Sequence, residues 1–279
     1  MVATDQTLTR ERPKATISLS QTARTSLQVF QAIIIFSILA WVSYRGAQAM
    51  EYNWQWYRVP RFFYRVIDGE IIWGPLVMGF IETLRLAGVS IIFAVLIGFV
   101  TAFARLSNSF AGKWIATFYL EAIRNTPLLV QLFLFYFVLA PIFGMDRFWA
   151  GVLCLSFFEG SFASEIIRGG IIGVPRDQYE ASDAIGLTPY DKYTKIIIPQ
   201  SMPLILPPLT GLIISLIKHS AIVSVIAVSE LTTVGMNLIS ETFMAFEIWF
   251  IVAGIYLALT VTLSAGVSLF ERQLEKGKY

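Results

Sequence analysis

The sequence predicts an all-α membrane protein that crosses the bilayer about six times, and three observations carry that prediction. Of the 279 residues, 56% are hydrophobic and only 14% are charged, whereas soluble domains carry about 25% charged residues. The mean hydropathy is +0.66. The apolar residues gather in uncharged runs of about the length needed to cross the hydrocarbon core, separated by polar and basic stretches.

Taken in order, residues 1–26 are polar and contain Arg10, Arg12, Lys14 and Arg24, and no small-residue cleavage site follows, so they read as an uncleaved cytoplasmic tail. Residues 27–44 form a first span. The connection to Trp73 is rich in aromatic residues (Tyr52, Trp54, Trp56, Tyr57, Phe62, Phe63, Tyr64), which favour the headgroup layer, so it is expected along the outer interface. Residues 27–75 are thus an additional helix and connection ahead of a transmembrane domain at 76–279.

A second span runs from Leu76 to Ala104, followed by a short basic loop at 105–113. Apolar sequence from Trp114 is interrupted between Glu121 and Pro127, and residues 128–143 complete a third span. Residues 148–167 read as a fourth span despite Glu159 and Glu165. The fifth, residues 200–228, is expected to kink at Pro203, Pro207 and Pro208, because proline removes backbone hydrogen bonds that neighbours must replace. Residues 248–270 are a sixth span. Six spans place both termini on one side. Basic residues concentrate there (Arg10, Arg12, Lys14, Arg24, Arg105, Lys113, Arg168, Arg176, Lys192, Lys195, Arg272, Lys276, Lys278), against Arg45, Arg58, Arg61, Arg65 and Arg147 on the other side, so the termini are predicted to be cytoplasmic.

A net charge of +2 with scattered basic residues gives no basis for nucleic-acid binding. Cys154 is the only cysteine and His219 the only histidine, which excludes a disulfide framework and the multi-His metal motifs. No phosphate-binding loop of the type G-x-x-x-x-G-K-[ST] occurs, nor a Ser-His-Asp set, so no catalytic site, bound metal or bound cofactor is expected in this chain.

Between the fourth and fifth spans lies the most informative stretch, residues 179–203, YEASDAIGLTPYDKYTKIIIPQSMP. Helix-forming residues lead to Gly186, which permits a sharp bend. Thr188 and Pro189 then offer an N-cap and first helical position for a second short helix reaching Pro199. The spacing is Glu180-Ala181-Ser182, three residues, Gly186, nine residues, Ile196-Ile197-Ile198-Pro199. It closely resembles the EAA loop of bacterial ABC-importer permeases, with Ser182 and Ile198 as departures close in size to the usual residues.

Further residues narrow the resemblance. Glu82-Thr83-Leu84-Arg85-Leu86, Arg124-Asn125-Thr126-Pro127-Leu128, Glu165-Ile166-Ile167-Arg168-Gly169-Gly170 and Val223-Ser224-Val225-Ile226-Ala227 resemble the polar amino-acid uptake permeases, the histidine/glutamine/glutamate group, over about residues 79–270. Where many members have an acid in K-D-T-S-L, this chain has Lys218-His219-Ser220-Ala221-Ile222.

The resemblance implies a type I ABC-importer permease fold in the bacterial inner membrane. The loop at about 169–200 would be cytoplasmic and couple to an ATPase subunit through Glu180, Ala181, Ser182, Gly186 and Pro199. It also implies a second permease subunit, of the same or a related chain, and a periplasmic or lipid-anchored binding protein that delivers a polar amino acid. ATP and Mg would be bound by the partner ATPase.

Ionisable side chains inside a bilayer are costly, about 2.5–3.5 kcal/mol each on insertion scales, so each needs a partner or a wet path. Glu82/Arg85, Glu121/Arg124 and Glu165/Arg168 are spaced to neutralise themselves on one helical face. Glu159 has no basic residue within a turn and is a substrate-path candidate; pairing with Lys218 or Arg85 is the structural alternative. Lys218 and His219 are candidates for a substrate carboxylate, or a packed polar pair. Asn125 and Thr126 either open a broken helix toward an anion or simply cap a kinked one. A different class of reading, a secondary carrier driven by an ion gradient with Glu159 or Glu165 carrying the proton, remains as the alternative.

Overall fold

The structure is a computed structural model that describes residues 21–50 and 52–276. Most of the expected cytoplasmic tail, residues 1–20, and Lys278 lie outside the described residues. The chain divides into two units, Met1–Trp54 and Gln55–Tyr279. In the first, helix α1 covers Gln21–Ala49. Its stretch Gln28–Ala49 is long and apolar enough to cross a membrane, and Phe36 and Trp41 stand exposed on it, as on a helix that is apolar all round and meets lipid.

The second unit opens with a feature the sequence reading passed over. A 3-10 turn at Trp56–Phe62 leads into an antiparallel hairpin of β1 (Tyr64–Ile67) and β2 (Glu70–Trp73), with Tyr64 opposite Trp73 and Val66 opposite Ile71. Asp68 and Gly69 make the turn at φ +53° and +83°. Two consecutive left-handed residues match the twist of the flanking strands, and Asp-Gly adopts that turn at low cost. Gly74 then donates its N–H to the Phe63 carbonyl at 2.7 Å. A Cβ at this corner would sit 2.2 Å from the Phe62 oxygen, so only glycine fits.

The rest of the unit is helical: α2 (Pro75–Leu106), α3 (Phe110–Arg124), α4 (Leu128–Phe133), α5 (Ala140–Phe143), α6 (Arg147–Ile172), α7 (Arg176–Ala184), α8 (Pro189–Asp191), α9 (Ile198–His219), α10 (Leu231–Thr242) and α11 (Ala245–Lys276). Side-chain caps start several of them. Ser109 accepts from the Gly112 N–H at α3, and Asp146 accepts from the Trp149 N–H at α6. Five helical stretches among the described residues are long and apolar enough to span a membrane, and α3 with the run Leu128–Phe143, bent by 107°, makes the sixth.

α2 and α6 form the centre. Leu86 packs beside Gly151, and Gly98 beside Ala163, so the two helices run parallel, as one intervening crossing requires. Small residues allow the approach: a Cβ at Gly98 would lie 2.7 Å from that of Ala163, and one at Gly160 2.9 Å from Ile97 Cγ2. α9 covers another face of α6, with Ile205 against Gly170.

Two local expectations change. The second helix of the loop does not end at Pro199: α8, a π-turn at Lys192–Ile197 and α9 form one helical run. The widened turn lies just before Pro199 and absorbs the hydrogen bond that proline cannot make. The compact unit also begins at Gln55, ahead of the expected boundary at residue 76, because Phe62 is buried in a cluster with Leu76, Leu231 and Met244.

Candidate functional site

The first candidate region is the polar helical hairpin beyond α6. Its bend is set by Gly186 at φ +76°. The Leu187 N–H donates to the Ser182 carbonyl at 3.1 Å and the Gly186 N–H to that of Asp183 at 3.0 Å. This pair of bonds closes α7 as a glycine-terminated cap, in which a side chain at 186 would be strained. Thr188 accepts from the Asp191 N–H at 3.2 Å and so caps α8.

The hairpin is held as a unit. Lys192 pairs with Asp183 across the bend, and Tyr179 donates its hydroxyl to the Ile171 carbonyl at 2.8 Å, tying α7 to the end of α6. Burial, and then neighbouring Tyr193, push the Tyr179 phenol above its ordinary value, so it stays a donor at neutral pH. Ser182 is buried. Glu180 is not: its side chain is 65% exposed and pairs with Arg176 at 2.9 Å. Ala181, Gly186 and Pro199 are also exposed. The exposed Glu180 face can therefore be covered by another protein without first breaking a buried contact.

The second region is inside the bundle, where Glu159 is buried and its partner is His219, Nδ1 to Oε1 at 2.5 Å. Neither Lys218 nor Arg85 is the partner. His219 lies edge-on to Phe158, with ring centroids 5.8 Å apart, and its side chain is 45% exposed. The pair thus has one buried end and one open end. Lys218 points elsewhere, exposed and without an ion pair among the described residues.

One helical turn and a half along α6, Glu165 receives three arginines. Arg168 lies 2.8 Å away and Arg124 3.6 Å away, and Arg105 forms a further close pair. The expected self-neutralising pairs hold for Glu165/Arg168 and for Glu82/Arg85 at 3.4 Å. Glu121/Arg124 does not form: Arg124 turns to Glu165 and stacks over Phe162. Glu121 instead accepts from Asn125 Nδ2 at 2.8 Å. Asn125 C-caps α3, and Thr126 donates to the Ala122 carbonyl, so both spend their donors closing a helix rather than opening one. A concavity of about 550 Å³ between α6 and α9 is lined by Glu165, Gly169, Gly170, Gly173, Leu204 and Pro208.

Two buried acids escaped the sequence reading. Glu230 caps α10, accepting from the Thr232 and Thr233 N–H groups at 2.8 Å and from the Tyr256 hydroxyl at 3.0 Å. Burial pushes its carboxyl above the ordinary range, against these donors. Glu247, also buried, accepts from the Gln55 N–H at 2.5 Å. Glutamate is not among the usual N-cap residues, so the sequence does not mark Glu230 as the cap of α10. No local signal marks Glu247.

Among the described residues no group of His, Cys, Asp and Glu is placed to hold a metal ion. A bundle of parallel and antiparallel spans, with an exposed polar hairpin at one end and a small set of buried ionisable groups, is that of a multi-pass membrane protein. Residues 94–276 match the model of the binding-protein-dependent transport system inner membrane component, and the chain belongs to that family.

It is 36% identical over 200 residues to the probable glutamine ABC transporter permease protein GlnM of Bacillus subtilis (strain 168), covering 71% of this chain and 92% of that relative. It is 32% identical over 231 residues to the glutamine transport system permease protein GlnP of Escherichia coli (strain K12), covering 81% and 99%. The crystal structure of an amino acid ABC transporter with histidines superimposes with a TM-score of 0.66 at 40% identity, covering 71% of this chain and 94% of that one. An inward-facing MetNI methionine ABC transporter, at 20% identity and a TM-score of 0.61, shares the fold.

Proposed function

We propose that this chain is the permease subunit of an ATP-driven importer of polar amino acids, and that the exposed α7–α8 hairpin couples it to a separate ATPase. The observation that carries the coupling role is the combination at the hairpin: a rigid glycine-capped bend, tied through Tyr179 to α6, presenting Glu180 to solvent. A push on α7 passes directly into α6, which also holds Glu159 and Glu165. The glutamine and amino-acid transporters among the relatives support the substrate class.

In this reading the hairpin faces the cytoplasm and ATP and Mg sit on the partner ATPase. A second permease completes the path, and a binding protein delivers the amino acid at the opposite end. The Glu159–His219 pair serves as the polar station of the path. Its carboxylate matches an α-ammonium group, and the half-exposed imidazole matches an α-carboxylate. The absence of the usual acid after Lys218 favours a neutral over a cationic side chain.

The test is ATPase activity of the reconstituted complex, this chain with its ATPase and binding protein, across a panel of amino acids, with Glu180→Arg alongside. Stimulation by one group of polar amino acids, lost in the variant, is the expected result. Transport by this chain without any ATPase would instead support the ion-driven carrier.

A further inference from the structure

At the end of the bundle where α2 and α11 begin, a concavity of about 480 Å³ is lined by Arg58, Arg61, Arg65, Asn237, Glu241 and Thr242. Three guanidinium groups face one carboxylate there. Among the described residues none of the three arginines is in an ion pair: Arg58 donates to Gln55 Oε1, and Arg61 has a buried Nε with no hydrogen-bond partner. Guanidinium groups held this way favour a bidentate oxyanion, phosphate above all.

The surroundings indicate which phosphate. Pro75 lines the concavity and is the first residue of one span, and Thr242 lies just before Ala245, the first residue of another. The concavity therefore sits at the depth where apolar helix gives way to the headgroup layer. Next to it, one face of the β-hairpin presents Tyr64, Val66, Ile71 and Trp73, all at least half exposed, while the other face carries Arg65 and Glu70 between Ile67 and Ile72. Trp56 and Tyr57 are exposed as well. A two-stranded ribbon with one apolar face is marginal in water, whereas aromatic and aliphatic side chains of this kind are stabilised at a membrane interface.

We infer that the concavity binds the phosphate of an anionic phospholipid headgroup, with the apolar face of the hairpin laid into the adjoining lipid. The ribbon thereby fixes the start of α2 through Gly74, and Arg58, Arg61 and Arg65 discriminate the lipid by charge. This rests on the bilayer placement of α2 and α11 but on neither the substrate nor the ATPase, so a failed uptake assay leaves it standing and its own failure leaves the importer reading intact.

The experiment is lipid binding to the purified full chain in detergent, by native mass spectrometry and thermal unfolding. The probes are phosphatidylglycerol, phosphatidylcholine, inorganic phosphate and a polyglutamate peptide. Phosphatidylglycerol is expected to bind about tenfold more tightly than phosphatidylcholine, the range of one good charge-assisted contact. R58Q/R61Q/R65Q removes that preference while the lipid-free unfolding temperature stays near the parent's. Tyr64→Ser with Trp73→Ser weakens both lipids and keeps the preference. Equal binding of the two lipids, or an unchanged preference in the arginine variant, overturns the inference. Binding of inorganic phosphate or polyglutamate as tight as phosphatidylglycerol overturns it too, the latter in favour of an acidic protein partner at this face.

Discussion

Glu159 and Glu165 stand six residues apart on α6, about 9 Å along the axis, and their environments are opposite. Glu159 is 3% exposed and has one partner, an imidazole. Glu165 is 25% exposed and is surrounded by Arg105, Arg124 and Arg168. Arginine does not release its proton at any working pH. The charge at 165 is therefore locked and serves to join α2, α3 and α6. Glu159 instead has a single partner whose far side is open. The two positions differ in environment because of the partners that fold around them, not because of the residue type.

The largest expected effect comes from breaking the close α2–α6 contact at Gly160, beside Glu159. Gly160→Leu drives a side chain into Ile97 and the Ala94 carbonyl, separating α2 from α6, and the expected outcome is loss of monodisperse protein on size-exclusion chromatography. Next, Glu165→Ala leaves three arginines mutually repelling. Full burial would make this cost about 3–5 kcal/mol, and the partial exposure reduces it to about 1–2 kcal/mol, read as a lower unfolding temperature. A stability equal to the parent's would remove the joining role.

Glu159→Gln keeps the shape and removes the charge. Substrate-stimulated ATPase is expected to fall about tenfold, equivalent to about 1.4 kcal/mol, with unfolding temperature nearly unchanged. If stability falls and the remaining stimulation is normal, 159 is structural like 165 and the contrast fails. The smallest effect is the control. Glu82→Gln removes a 3.4 Å pair with the mostly exposed Arg85, and a change of about 0.5 kcal/mol or less is expected.

Much of the architecture was legible because its signals are local. The uncharged runs gave the spans, Thr188-Pro189 gave a cap that forms as expected, and Gly186 gave the bend with its left-handed φ. The β-hairpin was legible in principle, since Asp68-Gly69 lies between two β-prone quartets, whereas the density of aromatic residues points only to a place along the interface. Arg124 pairs with Glu165 rather than Glu121 because i,i+3 spacing makes a pair possible without deciding it against a better-placed acid on another helix.

By itself, then, the sequence determined how many times the chain crosses, where the polar hairpin bends and its second helix starts, and which polar stretch stands outside the bundle. Run length, caps and glycine backbone preference act over a few residues and need no neighbours. Only the tertiary structure decided that Glu159 meets His219, sixty residues away, that three arginines converge on Glu165, and that Arg58, Arg61 and Arg65 share a concavity with α10. Those choices depend on which helix faces are packed together and at what height. That is set by the close contacts of Gly98, Gly160 and Gly170, which no spacing along a single helix encodes.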